Sequence, residues 1–112
     1  RTTRTSLTRT RMATRTMTMT RMRKATLDDL RRTIDGLDSE LVRLLNRRAA
    51  TAIKIGREKR RRGVPIQDRA RERRILTRVR QASRGPLADE AVAGIFKRIV
   101  SACRQLQEKD QR

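Results

Sequence analysis

From Leu27 onward, apolar side chains recur at spacings of three and four: Leu27, Leu30, Ile34, Leu37, Leu41, Leu44, Leu45, Ala52 and Ile55. That period marks one face of an α-helix rather than the alternation of a strand. No proline and only Gly36 and Gly56 interrupt it, so the spacing predicts one long helix over about 27–62. Thr26 stands where a capping hydroxyl belongs, and Asp28 and Asp29 place negative charge in the first turn. At 1.5 Å per residue the helix would run roughly 50 Å, longer than a domain of this size needs. A single apolar stripe of that length is best covered by the same stripe on a second copy. The run Arg60-Arg61-Arg62-Gly63-Val64-Pro65 ends it. A second helix is expected over about 67–83, with Ile75, Leu76 and Val79 on one face, before Ser83-Arg84-Gly85-Pro86 breaks the chain again. The third, about 87–109, carries Val92, Ile95, Phe96, Ile99, Val100, Cys103 and Leu106. The expected fold is therefore all-α, with three helices of unequal length. One domain spans 27–109, followed by a short 110–112 tail.

Residues 1–26 do not share this pattern. They hold eight of the 31 basic residues and no acid, all four methionines, many threonines and little to bury. Such a stretch reads as disordered low complexity. A nucleic-acid-binding arm, a transit-like peptide, translated sequence upstream of a start at Met22 and an inert solvated tail all fit it. The remaining 86 residues carry 23 bases against 12 acids.

Composition narrows the chemistry further. The chain has 112 residues, no histidine, one cysteine and one aromatic residue, Phe96. Nucleophilic catalysis by a Ser-His or Cys-His pair is excluded, a zinc site all but excluded, and no disulfide framework can form. No apolar run approaches the ~18 residues of a membrane span, and no signal-type segment is visible, so a cytoplasmic location is expected. A site must be built from Arg, Lys, carboxylates and amides.

Several polar side chains fall on the apolar faces. Arg48 and Lys59 continue the first stripe; Asp68, Arg71 and Glu72 lie upstream of Ile75 on the second; Cys103 and Gln107 extend the third. Singly, each has a plain structural explanation: a snorkelling base, a helix cap, a surface ion pair. Together on three inward faces they resemble a pocket for a small dianion, since burying unpaired charge costs several kcal/mol. The set offers no nucleophile–base pair and no metal-ligand set. Chemistry that needs neither is a unimolecular rearrangement, in which a protein holds the reactive conformer and fixes positive charge where negative charge develops. Cys103 reads as a small core or pocket-lining residue.

The ordered series Leu30-Arg31-x-x-Ile34-x-x-Leu37-Asp38-x-x-Leu41-x-x-Leu44-Leu45-x-x-Arg48, Ile55-Gly56-x-x-Lys59, Val64-Pro65-Ile66-x-Asp68-x-x-Arg71-Glu72 and Ile95-Phe96 through Gln107 resembles the all-α chorismate mutases over about 27–107. The resemblance implies an intertwined helical homodimer with two equivalent sites. It also implies a cofactor-independent rearrangement of chorismate to prephenate in aromatic amino-acid (Phe/Tyr) biosynthesis. By position, Arg31 would reach the site of the other chain and Arg48 would bind a carboxylate within its own chain. Lys59 would contact a carboxylate and the breaking ether oxygen, and Gln107 would donate a second hydrogen bond to that oxygen. Asp68 and Glu72 would address the ring hydroxyl, with Arg71 supporting the carboxylate side. The family's small hydroxyl residue is Cys103 here, a weaker donor.

Two other readings remain at this point. A lyase releasing pyruvate from isochorismate on the same fold would use the same cationic clamp. A nucleic-acid-binding helical protein would explain the net charge of +19. Against it, Arg60–Arg62 and the tail are the only dense basic runs, and base-stacking aromatics are missing apart from Phe96, so no specific nucleic-acid partner is expected. A partner enzyme of aromatic biosynthesis is left open.

Overall fold

A computed structural model describes residues 24–110 of the chain. Residues 1–23 and 111–112, on which most expectations about the two tails fall, lie outside the described residues. Three helices follow in order: α1 (Leu27–Arg62), α2 (Arg69–Ala82) and α3 (Asp89–Lys109). Among the described residues there is no strand and no helix long and apolar enough to cross a membrane.

The chain divides into two compact units, one reaching to Glu40 and one beginning at Leu41. In the first, the start of α1 is closed by a reciprocal box. The Asp29 amide donates to Thr26 Oγ1 at 3.0 Å and the Thr26 amide donates to Asp29 Oδ2 at 3.1 Å. Two donors that an unfinished helix end leaves unpaired are thereby satisfied. Those hydrogen bonds, the Thr26 backbone contact foremost, hold the Asp29 carboxyl below its ordinary value of 3.8. Leu27, Leu30, Ile34 and Leu37 are all more than half exposed.

The second unit holds the core. α1 ends in a Schellman turn: the Gly63 amide donates to the Arg60 carbonyl (3.1 Å) and the Val64 amide to the Lys59 carbonyl (3.0 Å). Gly63 sits at φ +70°, where a side chain would be strained. The stop predicted from Gly63-Val64-Pro65 therefore has a specific geometry, and it delivers Lys59 and the Ile66 loop to one place. α2 begins at Arg69, two residues later than expected. Asp68 has extended dihedrals (φ −134°, ψ 92°) and caps the helix by accepting from the Arg71 amide at 3.0 Å. α3 likewise begins at Asp89 rather than about 87.

Four of the seven buried positions, Ala52, Gly56, Ala93 and Cys103, are small. Ala52 and Gly56 on α1, Ile75 and Val79 on α2, and Ala93 and Cys103 on α3 form the core, joined by Gln107. Two positions expected on the inner face of α3 are turned outward instead: Ile95 is 51% and Leu106 40% exposed. The buried line runs through Ala93, Cys103 and Gln107, with Phe96 and Val100 half-buried beside it. Of the seven positions expected on this face, Val92, Phe96, Ile99 and Val100 are half-buried and Cys103 is buried; Ala93, outside that set, is buried as well. Leu41, Val42, Leu44 and Leu45 are 41–58% exposed, so this unit also leaves an apolar surface uncovered.

Candidate functional site

A cavity of about 460 Å³ opens within the second unit, lined by all three helices and the α1–α2 loop. Arg48, Lys59, Asp68, Arg71, Glu72, Cys103 and Gln107, the sequence candidates of this unit, all line it. Arg31 does not; it lies in the first unit and is exposed. Thr51, Ala52, Ile55, Ile66, Ile75 and Val100 supply small and apolar wall, and Arg78 and Arg104 add two further cations.

Arg48, Lys59, Gln107, Asp68 and Glu72 each have an identifiable neighbour. Arg48, half-buried on α1, donates from Nη1 to Cys103 Sγ on α3 at 3.3 Å. A sulfur is a weak acceptor, so most of the guanidinium's donor fork stays available to a ligand. Lys59, three turns further along α1, donates from Nζ to the Ile66 carbonyl at 2.8 Å. The ammonium has three protons, and this tether fixes its position while leaving two.

Gln107 is 9% exposed, and its Nε2 donates to the Ala52 carbonyl at 2.7 Å. A carbonyl only accepts, so the amide orientation is determined by chemistry: the NH₂ end must face Ala52. The second N–H of that group remains. Gly56 makes this packing possible, for a Cβ there would lie 3.0 Å from Gln107 Cγ. The α3 backbone at Gln107 is pinned as well: Arg60 donates to its carbonyl, and Arg57 Nε donates to Asp110 Oδ2 at 2.9 Å three residues on.

The acids differ in their duties. Asp68 is exposed and spends Oδ1 on the α2 cap. Its carboxyl is held below the ordinary 3.8, first by the Arg71 amide and then by the charges of Lys59, Arg74 and Arg71. Glu72, one turn into α2, accepts from Arg104 Nη1 at 2.6 Å. Arg104 escaped the sequence reading although a signal was present: it stands four residues after Val100 and three before Gln107, at the edge of the inner face.

The arrangement can bind a small, doubly negative molecule among guanidinium, ammonium and amide donors, with carboxylates in the same lining for a hydroxyl. Among the described residues no cluster of His, Cys, Asp or Glu is placed to hold a metal ion. Fold and site together define an all-helical protein with a pocket lined by cationic, amide and carboxylate side chains. The sequence model of the family described as chorismate mutase type II matches residues 30–108, and the chain belongs to that family.

Two solved structures are similar. One is chorismate mutase (form II) from Thermus thermophilus: 31% identity, TM-score 0.74, covering 77% of this chain and 98% of that one. The other is the Helicobacter pylori chorismate mutase in complex with prephenate: 34% identity, TM-score 0.70, covering 80% of this chain and 100% of that one. Two bifunctional chorismate mutase/prephenate dehydratases are also similar. The Aquifex aeolicus protein is 38% identical over 87 residues, which are 74% of this chain and 24% of that protein. The Neisseria gonorrhoeae protein is 40% identical over 82 residues, 70% of this chain and 22% of that protein. The chain thus spans under a quarter of the length of these bifunctional relatives.

Proposed function

We propose that this chain is a chorismate mutase, converting chorismate to prephenate as its family and its solved relatives suggest. The observation that carries this reading is the meeting of Arg48, Lys59, Glu72 and Gln107, from three helices, around one cavity. The reaction is unimolecular: one ether C–O bond breaks while one C–C bond forms, and no atom is gained or lost. The protein must select the folded conformer and stabilise charge growing on the ether oxygen.

Arg48 binds a substrate carboxylate with its free fork. Lys59 Nζ and the second Gln107 N–H donate to the ether oxygen. One such donor is worth on the order of 3–4 kcal/mol; two, with conformer selection, approach the ~8 kcal/mol of a 10⁶-fold acceleration. Glu72 accepts from the ring hydroxyl, Asp68 chiefly holds α2 in register behind it, and Arg71 supports the carboxylate side. Cys103 seats Arg48. The site is completed by the partner subunit's Arg31 in a homodimer, a reading supported by the exposed stripe Leu27, Leu30, Ile34, Leu37, Leu41 and Leu45.

Loss of chorismate absorbance tests the reading, with isochorismate assayed alongside. Lys59→Ala and Gln107→Ala should each lower kcat at least about a hundredfold, with far-UV circular dichroism unchanged. Near-wild-type turnover in either variant removes the mechanism; turnover of isochorismate alone replaces it with the lyase.

A further inference from the structure

The cavity wall contains an ion pair that none of the roles above uses. Arg104 on α3 reaches Glu72 on α2, Nη1 to Oε2 at 2.6 Å, and both side chains are only about a quarter exposed (25% and 26%). Asp29–Arg32 and Glu58–Arg61 lie within one turn of one helix, on the surface, and Arg57–Asp110 and Arg80–Glu90, though they join more distant residues, lie outside the cavity lining. Glu72 shares the cavity lining with four further cations, Arg48, Lys59, Arg71 and Arg78. A carboxylate with a flexible stem in that company has several competing partners, and Arg104 takes it. The contact is made through one carboxylate oxygen. Oε1 has no partner among the described residues and stays free to accept a hydrogen bond.

We propose that Arg104 is a positioning residue: it anchors Oε2 of Glu72 so that Oε1 faces the ligand's hydroxyl. This rests on the mutase reading for the identity of the ligand. The pair keeps Glu72 from turning onto Lys59, which lines the same cavity and whose charge the ether oxygen needs. Because the anchor is a single hydrogen bond and not a fork, an ammonium of similar reach can replace it in part.

The test is a double-mutant cycle in kcat/KM for chorismate, in the full chain, with thermal melts on every variant. Arg104→Met should lower kcat/KM about ten- to a hundredfold, the scale of a misplaced binding group, and Arg104→Lys should recover most of that loss. Glu72→Gln should also lower it. Adding Arg104→Met to Glu72→Gln should then change kcat/KM less than about twofold, whatever it does to Tm. If Arg104→Met costs the same factor in both backgrounds, Arg104 acts on the substrate directly or on the fold, and the proposal fails. It also fails if Arg104→Met matches wild type. A wild-type protein inert toward chorismate would overturn the functional reading instead, so the two failures are distinguishable.

Discussion

Gly56→Ala isolates the contact between α1 and the Gln107 amide. An alanine Cβ at this position would stand 3.0 Å from Gln107 Cγ, 3.1 Å from its Cβ and 3.6 Å from its Cα. Carbon atoms pack comfortably at about 3.5–4.0 Å, so the pair must separate by roughly half an ångström or more. Rotating the Gln107 side chain moves Cγ but not Cβ, so α3 itself must shift. The 2.7 Å hydrogen bond from Gln107 Nε2 to the Ala52 carbonyl then stretches. Three energies compete. Removing a glycine from a helix interior gains about 1 kcal/mol. Overpacking costs about 1–3 kcal/mol, and weakening a buried hydrogen bond costs about 1 kcal/mol. The net loss is about 1–3 kcal/mol, a fall in Tm of roughly 5–15 °C for a domain this small.

The effect on kcat should exceed the effect on folding. A donor displaced toward 1 Å from its productive place can cost about a hundredfold in rate. Gly94→Ala is the internal control, since nothing lies within 4 Å of a Cβ there, and it should hold or raise Tm and keep kcat. Thermal melts by far-UV circular dichroism and chorismate consumption give the two readouts. A Gly56→Ala protein that melts higher than wild type and turns over at the wild-type rate would refute the placement of Gln107 against α1.

Two further predictions concern assembly and pH. Mixed chains carrying Arg31→Ala and Arg48→Ala, each nearly inactive alone, should regain up to one working site per heterodimer; absence of rescue in a verified heterodimer argues against a shared site. Asp29 and Asp68 both titrate below the ordinary carboxylate value of 3.8, held there first by the backbone amides of Thr26 and Arg71. Their contribution to stability is therefore complete above that value and is lost as pH falls through the lower folded-state values. An acid titration from about pH 5 to about pH 2 should show helix loss that is reduced in an Asp29→Asn/Asp68→Asn protein. An identical acid transition in that variant removes the two caps as its cause.

The three helices were legible because period and punctuation are local properties: the spacing from Leu27, and the stops at Gly63-Val64-Pro65 and Gly85-Pro86, need no knowledge of neighbours. The family resemblance was legible for a related reason, since Arg48, Lys59, Glu72 and Gln107 interrupt apolar faces that would otherwise be continuous. What the linear pattern misjudged was which apolar residues meet. Ile95 and Leu106 look like core and are exposed, while Ala93 and Gly56 look unremarkable and are buried.

Sequence by itself therefore determined the class of fold, the extent of each helix to within two residues and the cationic character of the site. Tertiary structure alone decided that Gln107 spends one N–H on Ala52, that Arg48 rests on Cys103, and that Arg104 engages Glu72. The physical reason is distance along the chain. Periodicity reports what a residue does within its own helix, whereas these contacts join residues 32 to 55 positions apart, and their geometry depends on how closely small side chains let the helices approach.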